Sequence, residues 1–387
     1  MKNFPSDHRP RTDRNPAVEV TLRKARTGAP PATESQTEPE FIFIDGTMFP
    51  FSAAAVHIAK VAAGNGSNVF EGLCLYSNGG GQCLFRLDEH IGKLRESAWR
   101  MDIDCDYTDE EFVDAIFQSI RENRIAGDGH IRLSLFVTGD GPTDASGPVS
   151  LVCTARPRES SAIHSRIIHA AISSWRRVED PLMPPRVRAE ANSHNTRFAL
   201  LEAFRNGYDQ ALFVSKAGKV VSGVDASFLM VRDGCLISPP ENSETVGCVA
   251  RSTFLQIASE ELGVEVQERE IDRSELTHAA EAMFCGSGVE LRAVLSINKM
   301  RVGEGHVGPI TRRLWHAYET TVRGQNRSRA DWLRPLEKRR ERASTHSQAG
   351  WRRAVLRSEE HARRLPRPGE IGLLLENGYE MGDRSIR

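Results

Sequence analysis

Apolar residues recur along this chain at the two spacings of regular structure, and the switches between them outline its elements. Residues 41–51 (FIFIDGTMFPF) hold two apolar runs around Asp45-Gly46, a pair that tolerates positive φ, and predict a β-hairpin. Residues 69–87 (VFEGLCLYSNGGGQCLFRL) predict a second hairpin, closed by a Gly-rich turn. Asp88 offers a cap for a helix through 90–101 with Ile91, Leu94 and Ala98 on one face. Residues 109–124 predict another helix, with Phe112, Ile116, Phe117 and Ile120 as its stripe. Strands follow at 130–139 and 147–155, and the polar stretch ARPRESSA (155–162) predicts a linker centred on residues 156–161.

Beyond it the alternation resumes. Residues 165–175 read as a strand and 192–207 as a helix closed by Gly207. Residues 209–240 give three short strands with turns at Ala217-Gly218 and Asp233-Gly234. A helix at 250–263, a strand at 264–271, a helix-to-strand run at 274–290 and an amphipathic helix at 306–322 complete the pattern. The expectation is a two-domain α/β protein: a small domain at 39–155 and a larger one at 162–324. Residues 1–38, rich in Pro, Thr, Ser and mixed charge, predict a disordered extension.

Charge refines this picture. Over the 387 residues, 51 Lys+Arg balance 52 Asp+Glu, which argues against a chain built as a whole to coat nucleic acid or an anionic membrane. The excess is local: Arg327–Arg387 carries 15 Lys+Arg against 9 Asp+Glu, so residues 325–387 are expected to form a basic, solvated C-terminal extension. No apolar run approaches the roughly 18 residues of a membrane span, and no apolar stretch follows the first charges, so no signal peptide is expected. Seven scattered cysteines without CxxC spacing argue against a disulfide framework or a metal site and fit a reduced, cytoplasmic compartment.

From Phe41 to Gly324 the segments IDGTMFPFSAAAVHIA, GNGSNVFEGLCLY, FRLDEHIGKLRESA, HIRLSLFVTGDG, GYDQALFVSKAGKVV and VGEGHVGPITRRL stand in an order that resembles the class IV aminotransferases, most of all the branched-chain-amino-acid aminotransferases. The resemblance implies a two-domain fold-type IV architecture, pyridoxal 5'-phosphate (PLP) as cofactor, an amino acid or 2-oxo acid as substrate, and a homodimer or a heterodimer with an active paralogue. It also implies roles for single residues. Arg86 matches a phosphate-binding arginine, and Ser287 replaces a phosphate-contacting Thr. Phe70, His130 and Arg132 match substrate-side positions, with His130 where the family has Tyr.

Other positions depart from the family. The Schiff-base lysine stands four residues before the Asn that opens the helix ahead of GYD, and that position is Arg188. A guanidinium stays protonated and cannot condense with an aldehyde as a lysine amine does. Ser193 replaces a Tyr beside the cofactor ring, and Ser222 replaces the Glu that faces the pyridine nitrogen. Asp225, three residues on, is expected to point to the opposite face of a strand. The phosphate loop reads Cys248-Val249-Ala250-Arg251 instead of Gly-Ile-Thr-Arg, and Asn65-Gly66-Ser67 and Cys74 replace further substrate-side residues. Lys60, Lys93, Lys216, Lys219 and Lys299 occupy helix, loop or turn contexts without a matching role.

These departures predict a degraded PLP site: a protein that binds or converts an amino acid, 2-oxo acid or related acidic metabolite without lysine-based transamination, with Arg188, Arg132 and Arg86 as anion clamps. An active aminotransferase with a recruited lysine and a non-catalytic scaffold or regulatory subunit stand as alternatives.

Overall fold

The computed structural model describes residues 38–54, 66–138, 142, 144–159, 166–241 and 247–336. The expected N-terminal extension up to residue 37, Lys60, Asn65, the end of the 156–161 linker and the basic extension beyond Leu336 lie outside the described residues.

The chain opens with the expected hairpin, β1 (Phe41–Ile44) and β2 (Thr47–Pro50), turned by Asp45 and Gly46, both at positive φ. Next come β3 (Asn68–Ser77), β4 (Gln82–Phe85), helix α1 (Leu87–Arg100), helix α2 (Asp109–Glu122), β5 (Gly129–Val137) and β6 (Val149–Pro157). Arg86, in the left-handed conformation, stands at the N-cap of α1 in place of the expected Asp88. The expected linker residues Arg156 and Pro157 continue β6. On α2, Thr108 and Glu111 form a reciprocal capping box.

The second half contains β7 (Ile167–Ile172), helix α3 (Ser193–Arg205), β8 (Gln210–Val214), β9 (Val220–Gly223), β10 (Ser227–Arg232) and β11 (Cys235–Ser238). It continues with α4 (Val249–Gln256), β12 (Val266–Glu268), β13 (Glu281–Gly286), β14 (Glu290–Ile297), β15 (Met300–Arg301) and α5 (Pro309–Val322). Residues 209–240 thus hold four strands, one more than the pattern predicts, and the expected 274-onward helix is a single 3-10 turn. A last strand, β16 (Leu333–Pro335), lies within the segment expected to be a solvated extension and pairs with β4.

These strands form two sheets. The first is antiparallel with order β16-β4-β3-β5-β6-β1-β2. The second runs β12-β11-β10-β13-β14-β7-β8-β9, and a Ser222–Ser227 pairing between β9 and β10 closes its middle into a barrel. Alternation along β3 and β5 splits the first sheet's faces. Leu73, Leu75, Ile131 and Leu133 bury against α1 and α2, whereas Cys74 and Tyr76 join a core with Leu229, Phe254, Met283 and Tyr318 of the second half. Phe228, Phe284, Ile168 and Leu212 fill the barrel.

A polar knot crosses that shared core. Glu290 accepts hydrogen bonds from Tyr76 Oη (2.5 Å) and Arg158 Nη2 (2.6 Å), and Arg166 Nη2 lies 2.6 Å from its other oxygen. Tyr76 and Tyr318 share a further hydrogen bond of 2.6 Å, and burial holds both phenols protonated, well above their usual range. Removing one member of such a buried network strands the others, so Glu290→Ala is expected to destabilise the fold by about 3–5 kcal/mol. Tyr76→Phe, which deletes the charge-assisted hydrogen bond to Glu290 and the one shared with Tyr318, should cost about 2–4 kcal/mol. Urea denaturation of the two variants beside the parent checks both values.

Candidate functional site

One end of β3 and β5 carries the substrate-side residues. Gly72 pairs with Arg132 and Cys74 with His130, so Phe70, Gly72, Cys74, His130 and Arg132 share the face turned toward the second sheet. Gly72 belongs there because a Cβ would stand 3.0 Å from His130 Nε2. Val187 and Ala189 anchor the segment before α3 in the first core. Its backbone adds to the edge of β3, where Phe70 N donates to Arg188 O at 2.8 Å and Val69 bridges Ala189. With its neighbours turned inward, the Arg188 side chain is sent the other way, toward Phe70 and Glu71.

Arg188 meets two groups there. Its guanidinium lies 5.2 Å from the Phe70 ring centre, which also receives Arg132 at 3.8 Å. Arg188 Nε stands 3.4 Å from Glu71 Oε2, and Glu71 Oε1 lies 2.8 Å from His90 Nδ1. Glu71 and His90 are both buried. Burial opposes ionisation of Glu71, but Arg188 and His90 outweigh it and hold the carboxyl below its usual range. Burial likewise opposes the charge on Arg188, and the carboxylates of Glu71 and Asp225 favour it, so its pKa is raised. The pair lacks hydrogen-bond geometry, so Arg188 Nε and Glu71 Oε2 are both buried without such a partner.

Arg132 ion-pairs with Glu190, and burial together with Arg188 lowers its pKa to about 10. Arg177 lies 5.5 Å over the Phe213 ring, on the β8 residue that pairs with Ser222, and its Nε is buried without a hydrogen-bond partner. Asp225 occupies a positive-φ turn between β9 and β10, not a strand, and its charge reaches Arg132, Arg177 and Arg188. The expectation that it points away is therefore corrected: the period of two ends at Gly223.

At the other end, Arg86 Nη1 donates to Thr253 Oγ1 (2.7 Å) and, more weakly, to Val249 O (3.5 Å), while its Nε and Nη2 grip Glu89 at 2.5 and 2.7 Å. Val249 and Ala250 open α4 and are buried, and Cys248 Sγ caps the helix by accepting from Arg251 N. Arg251 itself is locked between Glu268 (2.5 Å) and Glu241 (3.1 Å), a structural role. Ser287 O accepts from Cys74 Sγ at 2.8 Å, which sets it beside the His130 face. Ser222 meets Ser227 at the barrel closure, and Ser227 Oγ lies 3.3 Å from Cys248 Sγ. Ser193 opens α3 and its carbonyl accepts from Thr196 Oγ1, a contact within the helix.

The lysines divide. Lys216 and Lys219 pair with surface carboxylates, Glu179 and Asp272. Lys93, expected to have no role, reaches the loop before α4, with Nζ 3.2 Å from Gly247 O. Sequence reasoning also missed Glu71, His90, Glu190 and Arg177. Glu71 carried a signal, a carboxylate inside an otherwise apolar strand; the others carried none.

Residues 68–297 match the amino-transferase class IV family model. This chain belongs to the aminotransferase class IV family. A probable branched-chain-amino-acid aminotransferase of Aquifex aeolicus is 29% identical over 303 residues, covering 77% of this chain and 97% of that relative. The PLP-form of branched-chain amino acid aminotransferase from Thermobaculum terrenum superposes with TM-score 0.72 at 32% identity, over 78% of this chain and 100% of that one. The Thermoproteus uzoniensis branched-chain aminotransferase with norvaline gives TM-score 0.73 at 30% identity, over 77% and 100%. The architecture is the fold-type IV architecture of these aminotransferases. No described helix is long and apolar enough to cross a membrane.

His130 stands where the resemblance puts Tyr. Burial, with Arg158 and Arg132, lowers its pKa to about 4. The folded value lies below the unfolded one near 6.5, so the unfolded chain binds the proton first and this group erodes stability as pH falls from 6.5 toward 4. The erosion amounts to about 1.4 kcal/mol per pH unit in that window. His130→Gln should flatten that part of the stability profile and leave it unchanged above pH 7, as urea midpoints between pH 4 and 8 will show.

Proposed function

We propose that this aminotransferase-family chain binds an acidic metabolite, an amino acid or 2-oxo acid, in an arginine-lined cleft and does not perform lysine-based transamination. The observation that carries this reading is the Arg188–Glu71 ion pair at 3.4 Å. At the position where the family presents an amine, this chain presents a permanent cation held by a buried carboxylate.

The residues around it do not fit a covalently held PLP. Ser222, where a carboxylate would face the pyridine nitrogen, is neutral and sits at the barrel closure. Arg86 is already engaged by Glu89 and Thr253. Cys248 places its sulfur on the Arg251 amide, at the turn where an unsubstituted glycine backbone would approach a phosphate. No chemical step through that cofactor is assigned. What these residues suit better is anion binding: Arg188 and Arg132 both lie over Phe70, and although Glu71 and Glu190 pair with them, each guanidinium has further N–H donors for a ligand carboxylate. A homodimer, or a heterodimer with an active paralogue, and a cytoplasmic location accompany this reading.

A second reading, an active enzyme with a recruited lysine, has one observation in its favour: Lys93 Nζ at Gly247 O, close enough for its charge to reach Glu71. Ultraviolet–visible spectra after adding PLP, with borohydride reduction and intact-mass analysis, separate the two. The expected result is no reducible band and no mass adduct; an adduct mapped to Lys93 or another lysine would replace the first reading with the second. Arg188→Gln is expected to weaken binding of 4-methyl-2-oxopentanoate by about tenfold or more, as for loss of one charge-assisted bidentate contact. Unchanged affinity by calorimetry would remove Arg188 from the binding role.

A further inference from the structure

The cleft that gathers Arg132, Arg177 and Arg188 also gathers three carboxylates, and they are not equivalent. Glu71 is buried against Arg188 and His90, and Glu190 is paired with Arg132. Asp225 is exposed and forms no hydrogen bond or ion pair with a described residue, although its charge reaches all three arginines.

Its place is set by packing. The Asp225 carbonyl lies against Gly286, where a Cβ would stand 2.9 Å away, so the turn abuts the residue before Ser287. On the other side Gln210 Nε2 donates to Val224 O at 3.3 Å, and Val224 packs in the small core with Phe213, the residue under Arg177. The Asp225 backbone is thus fixed between the small core under Arg177 and the Ser287 edge. Its φ of 51° is a conformation that glycine, asparagine and aspartate tolerate best, so the turn by itself does not require a charge. Arg177 Nε is buried without a hydrogen-bond partner, and Arg188 Nε, 3.4 Å from Glu71 Oε2, lacks hydrogen-bond geometry; a docking anion can satisfy such donors.

Resting on the anion-binding reading above, we propose that Asp225 is the charge selector of this cleft, admitting singly charged carboxylates and discriminating against dicarboxylates. Within this set of six side chains, Asp225 is the third carboxylate set against three guanidinium groups, with Arg156 and Lys93 as further cations near Arg132 and Glu71. A monoanionic ligand adds one uncompensated charge and a dianion adds two. Repulsion by Asp225 scales with ligand charge, so in fold-change its effect on a dianion is the square of that on a monoanion.

The test is calorimetric binding of 4-methyl-2-oxopentanoate and 2-oxoglutarate, a monoanion and a dianion of similar length, to the full chain. The parent is compared with Asp225→Asn and Asp225→Gly, both compatible with the turn. Neutralising Asp225 is expected to tighten the monoanion about threefold and the dianion about tenfold, with both gains shrinking in 0.5 M salt. Equal gains for the two probes, or none, while Arg188→Gln still weakens binding, would overturn the selector and leave the anion cleft standing. Failure of the parent and both variants, each shown folded by thermal melting, to bind either probe would overturn the anion cleft and the selector with it.

Discussion

The Glu290 carboxylate is the point on which the rest of the molecule turns. It stands at the start of β14 in the second sheet, yet two of its partners, Tyr76 and Arg158, belong to the first sheet and the strand end that leaves it. Burying a carboxylate is costly unless its charge is met; here Tyr76 and Arg158 hydrogen-bond one oxygen, and Arg166 ion-pairs with the other, which has no hydrogen-bond partner. The geometry is demanding, so the two sheets are held in one register instead of sliding over an apolar seam. That register sets Phe70, His130 and Arg132 opposite Ser287 and the Asp225 turn. The proposed anion site depends on this pin.

Inside the cleft, electrostatics follows from which charges have partners. Glu71 and Arg188 stabilise one another's ionised forms against the cost of burial. The arginine and the buried glutamate therefore make a mutually stabilised pair, and the Phe70 ring beside it receives both the Arg188 and the Arg132 guanidinium groups.

Much of the fold was legible because periodicity and burial agree. Ile91, Leu94 and Ala98 on α1, and Phe112, Ile116 and Ile120 on α2, are the residues that bury in the first core. The hairpin at Asp45-Gly46 turns where its residues favour positive φ. The site was legible as a set of positions, less so as a set of partners. Ser222 and Asp225 read as one continuous strand because nothing local marks the break after Gly223. Arg251 read as part of a phosphate loop, and the structure spends it on Glu241 and Glu268, carboxylates near in space and not in pattern. β16 was invisible for a different reason. Three residues in an Arg-rich stretch carry no periodicity, and they become a strand only because the β4 edge is there to pair with them.

That short strand also redraws where the molecule ends. Trp332, just before it, is buried 4.7 Å from the Arg86 guanidinium and packs edge-on against Phe85, while Arg86 N donates to Trp332 O at 2.7 Å. A chain cut at Gly324, the limit suggested by family resemblance, would remove Trp332 from the buried Arg86 and bare the β4 edge to pairing with other molecules. A cut after Leu336 would leave both contacts intact, so that shortened chain keeps every described element together.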